Sequence, residues 1–243
     1  MTKTFGVDGR PDRVSTSGKI AVALKGGQIN IYDSRGVYLL HFATVVVEGW
    51  DKTQIYPHDV AFGTAYNDDV WVVGGDNVSH YVALLALNRE YNRAVVTETI
   101  GNRGAVKVFL MNGVLVRSFG RRQGLMYPTG IAVDKEGYIL VALSHTAYTY
   151  MYQENGRFLL KFAGKGSNKG QLSVPVDICT DSSRHIIVAD SGNQRVELFT
   201  SRGRFIRHIA TDVDPLISIA MGTEGQLVMI ESPKDKVTIM KIS

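Results

Sequence analysis

Six cations sit in short glycine-rich or turn-like segments. They are Arg103 in Gly101-Asn-Arg-Gly104, Arg121 and Arg122 in Gly120-Arg-Arg-Gln-Gly124, Lys165 and Lys169 in Gly164-Lys-Gly-Ser-Asn-Lys-Gly170, and Arg195 in Ser191-Gly-Asn-Gln-Arg195. Two tyrosines, Tyr56 and Tyr127, each precede a proline, and His58 and Thr129 follow those prolines. Cations that hold phosphates, beside rings on which a base can stack, make a surface suited to single-stranded nucleic acid. The same residues also make an ordinary solvated loop surface with the tyrosines packed between repeats, so their placement decides.

His58, His80 and His145 offer a different chemistry. A zinc site needs about three converging ligands, usually with a carboxylate to orient them, and these histidines match no local motif. A calcium-dependent hydrolase needs a cage of oxygen ligands; Val60-Ala-Phe62, Ile131-Ala-Val133, Ile178-Cys-Thr180 and Ile217-Ser-Ile219 offer almost none. There is no phosphate loop followed by Lys-Ser/Thr and no nucleophile elbow. The expectation is a non-catalytic chain with no cofactor and no metal; a metal-dependent lyase or hydrolase is the remote alternative.

Composition sets wider bounds. The chain has 243 residues, 44% of them hydrophobic, with 25 glycines, 6 prolines and a formal charge of +4 at a pI near 9.1. That balance permits an acidic partner without requiring one. The single Cys179 excludes an internal disulfide and reads as a buried strand thiol. No signal-peptide core opens the sequence, and the longest apolar run, from Tyr81 to Leu87, is too short to span a bilayer. A reducing, cytoplasmic setting with no membrane partner is the default, which leaves the sequon Asn77-Val-Ser79 idle.

The elements that must position these residues are repeats. Pro128-Thr-Gly-Ile-Ala-Val-Asp134 opens one copy and Pro175-Val-Asp-Ile-Cys-Thr-Asp181 the next, each followed by three more β-rich runs separated by turns. Four strands in 40 to 50 residues make a propeller blade. Asp12-Arg-Val-Ser, Gly18 to Leu24, Gln28 to Asp33 and Val37 to Phe42 form an earlier copy, whose Asp33-Ser-Arg-Gly36 turn matches Thr200-Ser-Arg-Gly203. The interval from Pro57 to Pro128 exceeds the later ones by about half a blade. Six blades, the second lacking an outer hairpin, is the favoured count; five blades with residues 81–99 as an inserted hairpin is the alternative. The last repeat has only three strands, and Lys3-Thr-Phe-Gly-Val7 can supply its fourth, closing the ring and removing an exposed edge. Residues 1–243 read as one domain.

The motifs Pro128-x-Gly-Ile-Ala-Val-Asp134, Val188-Ala-Asp-Ser-Gly-Asn-Gln-Arg-Val196 and Phe119-Gly120 resemble the NHL repeat, most closely that of the tripartite-motif (TRIM-NHL) and Brain Tumor type. The resemblance covers 93–243 strongly and 13–75 fairly. It implies a closed propeller that reads single-stranded RNA, such as mRNA 3′ untranslated regions, as the targeting module of a translational regulator. Alternatively, the propeller recruits protein substrates for a ubiquitin ligase whose RING lies elsewhere. By position it points to His58, Thr129 and Val176 after the prolines, and by loop alone to Arg103, Arg121, Arg122, Lys165 and Lys169. Asp190, Asn193 and Arg195 read chiefly as turn architecture.

Antiparallel strand order puts the fourth-to-first and second-to-third loops on one side of the ring. That side collects the six cations and both tyrosines, together with Glu48, Asp51, Asp212 and Asp214. The first-to-second loops, on the other side, hold Asp68, Asp69, Glu90, Asp134, Glu136, Asp181 and Glu224. The expected site is therefore Tyr56, His58, Arg103, Arg121, Arg122, Tyr127, Thr129, Lys165, Lys169 and Arg195 on a basic face of a monomeric propeller. RNA is the expected partner and an acidic peptide of a protein the alternative.

Overall fold

A computed structural model describes residues 2–16, 18–25, 27–43, 45–48, 51–54, 56–62, 70–75, 84–88, 92–100, 103–110, 112–222, 224–232 and 236–242. The chain folds as an all-β propeller. The first blade is β2 (Pro11–Thr16), β3 (Lys19–Leu24), β4 (Gln28–Asp33) and β5 (Tyr38–Ala43). Two short sheets follow, β6 (Val45–Glu48) with β7 (Asp51–Gln54), and β8 (Tyr56–Phe62) with β9 (Val70–Gly75). The next blade is β10 (Leu84–Asn88), β11 (Arg93–Ile100), β12 (Arg103–Leu110) and β13 (Leu115–Phe119). Then come β14 (Pro128–Val133), β15 (Ile139–Leu143), β16 (Tyr148–Tyr152) and β17 (Phe158–Ala163), and after them β18 (Pro175–Thr180), β19 (Ile186–Asp190), β20 (Arg195–Phe199) and β21 (Phe205–Thr211). The last blade joins β22 (Leu216–Met221), β23 (Gln226–Glu231) and β24 (Lys236–Lys241) to β1 (Thr2–Gly6) from the other end of the chain. Among the described residues no helix is long and apolar enough to cross a membrane.

The favoured count of six blades is corrected to five four-stranded blades among the described residues. Among the described residues from 56 to 75, the strands are β8 and β9, paired with each other, and β8 packs between the inner strands β2 and β10. The extra hairpin is therefore not residues 81–99 as the five-bladed alternative had it: β10 and β11 are the two inner strands of a complete blade. Periodicity alone could not separate these cases, because an inner pair and an inserted pair have the same alternation.

Burial follows strand position. β15, β19 and β20 are buried at every residue, because both faces of a middle strand lie against neighbouring strands and blades. Outer strands such as β21 are only partly covered. Five inner strands begin with the same irregularity, a register shift after Pro11, Pro57, Pro128, Pro175 and Leu216. Proline is tolerated at this position because the first residue of an innermost strand need not donate to a ladder. The bulge brings inner strands close together: a Cβ at Gly130 would lie 2.8 Å from the Asp177 Cα, so only glycine fits there. Gly156, at φ 85°, closes its turn over the Phe119 ring of the preceding blade, where a Cβ would come within 2.8 Å.

Candidate functional site

Strand direction places the loops before β14 and β18, and those between second and third strands, on one side of the ring. Arg103, Arg121, Arg122, Lys165 and Lys169 are exposed there, as the sequence led us to expect, and the structure adds Arg10, Lys25 and His145. Arg103, Arg122, Lys165 and Lys169 form no ion pair among the described residues. Arg121 donates to Glu98 at 3.2 Å, and Lys107 takes the other Glu98 oxygen at 2.6 Å. The side chains of Tyr56 and His58, and all of His80, lie outside the described residues.

Tyr127 is 44% exposed, with its ring 5.8 Å from that of His145. Its φ of 48° puts a bulky residue in the left-handed region, at a cost on the order of 1–3 kcal/mol. The Tyr127 carbonyl accepts from the Ser144 amide at 3.3 Å, so the strained turn is tied to the second-to-third loop of its own blade. Residue types alone point the other way, since a residue before proline favours extended backbone.

Thr129 is occupied elsewhere. Its hydroxyl donates to the Pro175 carbonyl at 2.7 Å in the neighbouring blade. Arg195 is 9% exposed and serves the loop in front of its blade. Nη1 donates to Ser167 O at 2.9 Å, and Nη2 to Asn168 O at 3.1 Å and Gln171 O at 2.7 Å. Asp190, fully buried, accepts the Ser173 and Val174 amides at 2.8 and 3.1 Å, and its second oxygen accepts from Asn193, which also donates to Gly166 O. These three residues are turn architecture, as their types suggested. Glu197, fully buried 2.7 Å from Arg195 Nη2, was not singled out from the sequence. Burial pushes its carboxyl up to about 7, against the opposing pull of Arg195.

The sequence reading also missed a polar group at the channel mouth. Arg13 on β2 reaches across to Thr129 O, Val176 O and Ile217 O at 3.1, 3.4 and 3.2 Å, with Asp177 at 3.6 Å. One guanidinium thus joins the bulges of three other blades. Asp177 also accepts from Ser218 and from the Ile178 and Ile219 amides, and burial still raises its pKa. Inside lies a cavity of about 200 Å³ lined by Ser15, Asp59, Ile131, Asp177, Cys179 and Ala220. Cys179 is partly rather than fully buried, and burial pushes its thiol well up.

The opposite side is less acidic than its first-to-second loops implied. Arg184 binds Asp134 at 2.9 Å and Glu136 at 2.6 Å, and Asp134 and Asp181 each accept amides of their own turns. Exposed Arg35, Arg157, Arg202 and Arg204 stand on third-to-fourth turns of that side.

The NHL repeat family model matches residues 172–199, the segment that contains the Asp190–Arg195 turn. Human E3 ubiquitin-protein ligase TRIM32 is 33% identical over 69 residues, 28% of this chain and 11% of that protein. Drosophila melanogaster Protein brain tumor is 25% identical over 125 residues, 50% of this chain and 12% of that protein, so the matches span about a tenth of these relatives. Caenorhabditis elegans Protein lin-41 is 44% identical over 48 residues, 20% of this chain and 4% of that protein. Among solved structures, a streptogramin B lyase aligns with a TM-score of 0.65 at 14% identity, covering 98% of this chain and 96% of that one, and virginiamycin B lyase from Staphylococcus aureus with 0.67 at 11%, covering 100% and 99%. At such identities these two share the fold alone. The chain is thus a β-propeller that carries an NHL repeat at 172–199 and is similar, over part of its length, to proteins of the TRIM-NHL and Brain Tumor type.

Proposed function

We propose that residues 1–243 form one non-catalytic binding domain that holds single-stranded RNA on the face carrying Arg103, Arg121, Arg122, Tyr127, Lys165 and Lys169. The observation that supports this most is the set of exposed cations on braced loops, beside an exposed tyrosine held in a strained turn. Backbone phosphates would meet the cations and a base would stack on Tyr127. Thr129 and Arg195 then act beneath the surface, by fixing blades and loops. In a cytoplasmic parent protein such a domain would select transcripts for a translational regulator.

A protein partner is the second reading, and it has its own observation. Val37, Tyr38, Leu39 and Leu40 are each at least 45% exposed, and Val114 and Leu115 are 54% and 49% exposed, all on or beside outer strands. An apolar rim of this kind suits a substrate-recruiting domain of a ubiquitin ligase.

Fluorescence anisotropy with a randomised single-stranded RNA pool at two salt concentrations tests the first reading. Sub-micromolar binding that weakens steeply with salt, and falls about tenfold or more in the double variant Arg121→Glu, Arg122→Glu, is the expected outcome. Equal, weak binding by both proteins would sink it and favour the rim.

A further inference from the structure

We propose that the β6–β7 hairpin of one copy of this chain docks beside β9 of a second copy, so that two copies exchange hairpins and form a closed dimer. The proposal rests on the apolar rim of the second reading, and it commits Leu40 and Leu115 of that rim to a partner of the same sequence in place of the expected monomer.

One blade is half built. In each four-stranded blade the second strand pairs with a third, but among the described residues β9 pairs with β8 alone. Its far edge offers the ladder groups that a further strand would take. The walls on either side are open in the same way. Leu40 of β5 stands opposite Ile31, which packs with Val60 and Val72 of β8 and β9, so Leu40 faces the half-built blade; it is 52% exposed. Leu115 of β13 stands opposite Phe109, on the face turned away from Val106 and Val108, which pack toward β14–β17; it is 49% exposed. Between complete blades such outer positions are covered, as Phe162 is. The third-to-fourth turns repeat the contrast. A Cβ at Gly36, Gly156 or Gly203 would strike Phe5, Phe119 or Phe162 of the preceding blade, whereas at Gly113 it would meet nothing within 4 Å.

The chain itself carries the matching part. Two strand positions are open beside β9, and two strands, β6 and β7, pair with each other and join no blade. Val45-Val-Val47 is apolar throughout, as a third strand covered on both faces requires, and Asp51-Lys-Thr-Gln54 is polar, as an outermost strand allows. In its own chain the hairpin is tethered too tightly. Residue 55 alone joins Gln54 to Tyr56, a span of at most about 7 Å, whereas the third strand of a blade lies about 10 Å from the first. A second copy imposes no such tether. Entering from the side where β8 begins, β6 runs antiparallel to β9 and β7 returns outside it, which puts the valines in the middle position. Hairpin and slot are present on both copies, so one two-fold axis satisfies both contacts at once.

Sedimentation velocity of the full chain across the micromolar range should show a reversible equilibrium between monomer and dimer. Val46→Asp spoils the hairpin and Leu40→Asp the slot, and each alone should raise the dissociation constant about thirtyfold or more, as loss of an interface anchor does. An equal mixture of the two variants pairs one intact hairpin with one intact slot, and should dimerise more tightly than either variant by itself. Circular dichroism checks that each variant folds, and Leu115→Asp serves as the slot variant if Leu40→Asp does not. A monomer at every concentration overturns the exchange, though not the rim as a surface for a different protein. A dimer that the variants leave unchanged, or a mixture no tighter than its parts, overturns it as well.

Discussion

The loops at 120–125 and 164–174 occupy the same place in successive blades and present cations to the same side, yet different forces hold them. The second is fastened by charge: Asp190, Asn193, Arg195 and Glu197 lie under it, with eight contacts between 2.6 and 3.1 Å to its backbone and to one another. The first is fastened by an apolar plug. Leu125 is 1% exposed, its carbonyl accepts the Gly104 amide at 2.7 Å, and a single 3₁₀ turn over Arg121–Gln123 is closed by Gln123 Oε1 accepting from Gly120 N at 3.2 Å. The same surface role is thus reached by two internal routes.

Three substitutions sharpen or break this contrast. Asp190→Ala should cost the most, about 3–5 kcal/mol, because it strands a buried guanidinium and leaves the Ser173 and Val174 amides unpaired. A urea midpoint shift at unchanged slope would measure it, and a loss below about 1 kcal/mol would remove the distinction between the loops. Leu125→Ala should cost about 3 kcal/mol by emptying an apolar site, with no change between pH 6 and pH 8. A pH-dependent loss there would mean that the first loop also depends on charge. Gln123→Ala should cost about 1 kcal/mol, since it removes one partly buried hydrogen bond and leaves the plug in place.

What could be read from the residues follows from how local each cause is. The turn at Asp33 was legible because its bonds lie within four residues: Asp33 accepts the Arg35 and Val37 amides, both at 2.9 Å. Pairing of the first strand with the last was legible because a three-stranded copy at one end left a strand over at the other. Arg13 was not legible as a clamp, since its three carbonyl partners lie 116 to 204 positions away and backbone oxygens carry no residue identity. Glu197 falls in a strand that reads as apolar alternation, so nothing local marks it as fully buried beside Arg195. The candidate face was legible as a set of loops but not as working parts. The types of Thr129 and Arg195 suit ligand contact, and only their bonding partners show that they are spent on the scaffold.

The seam between β1 and β24 bears on the order in which this molecule can assemble. Thr4 and Thr238 meet across it although 234 positions separate them. Among the described strand pairs none demands so distant a meeting, and such contacts form late because the chain between them must be ordered first. Until then β24 keeps an open edge of unpaired amides and carbonyls, competent to accept a strand from another chain. The interval before the seam closes is therefore the time at which this propeller is most exposed to self-association.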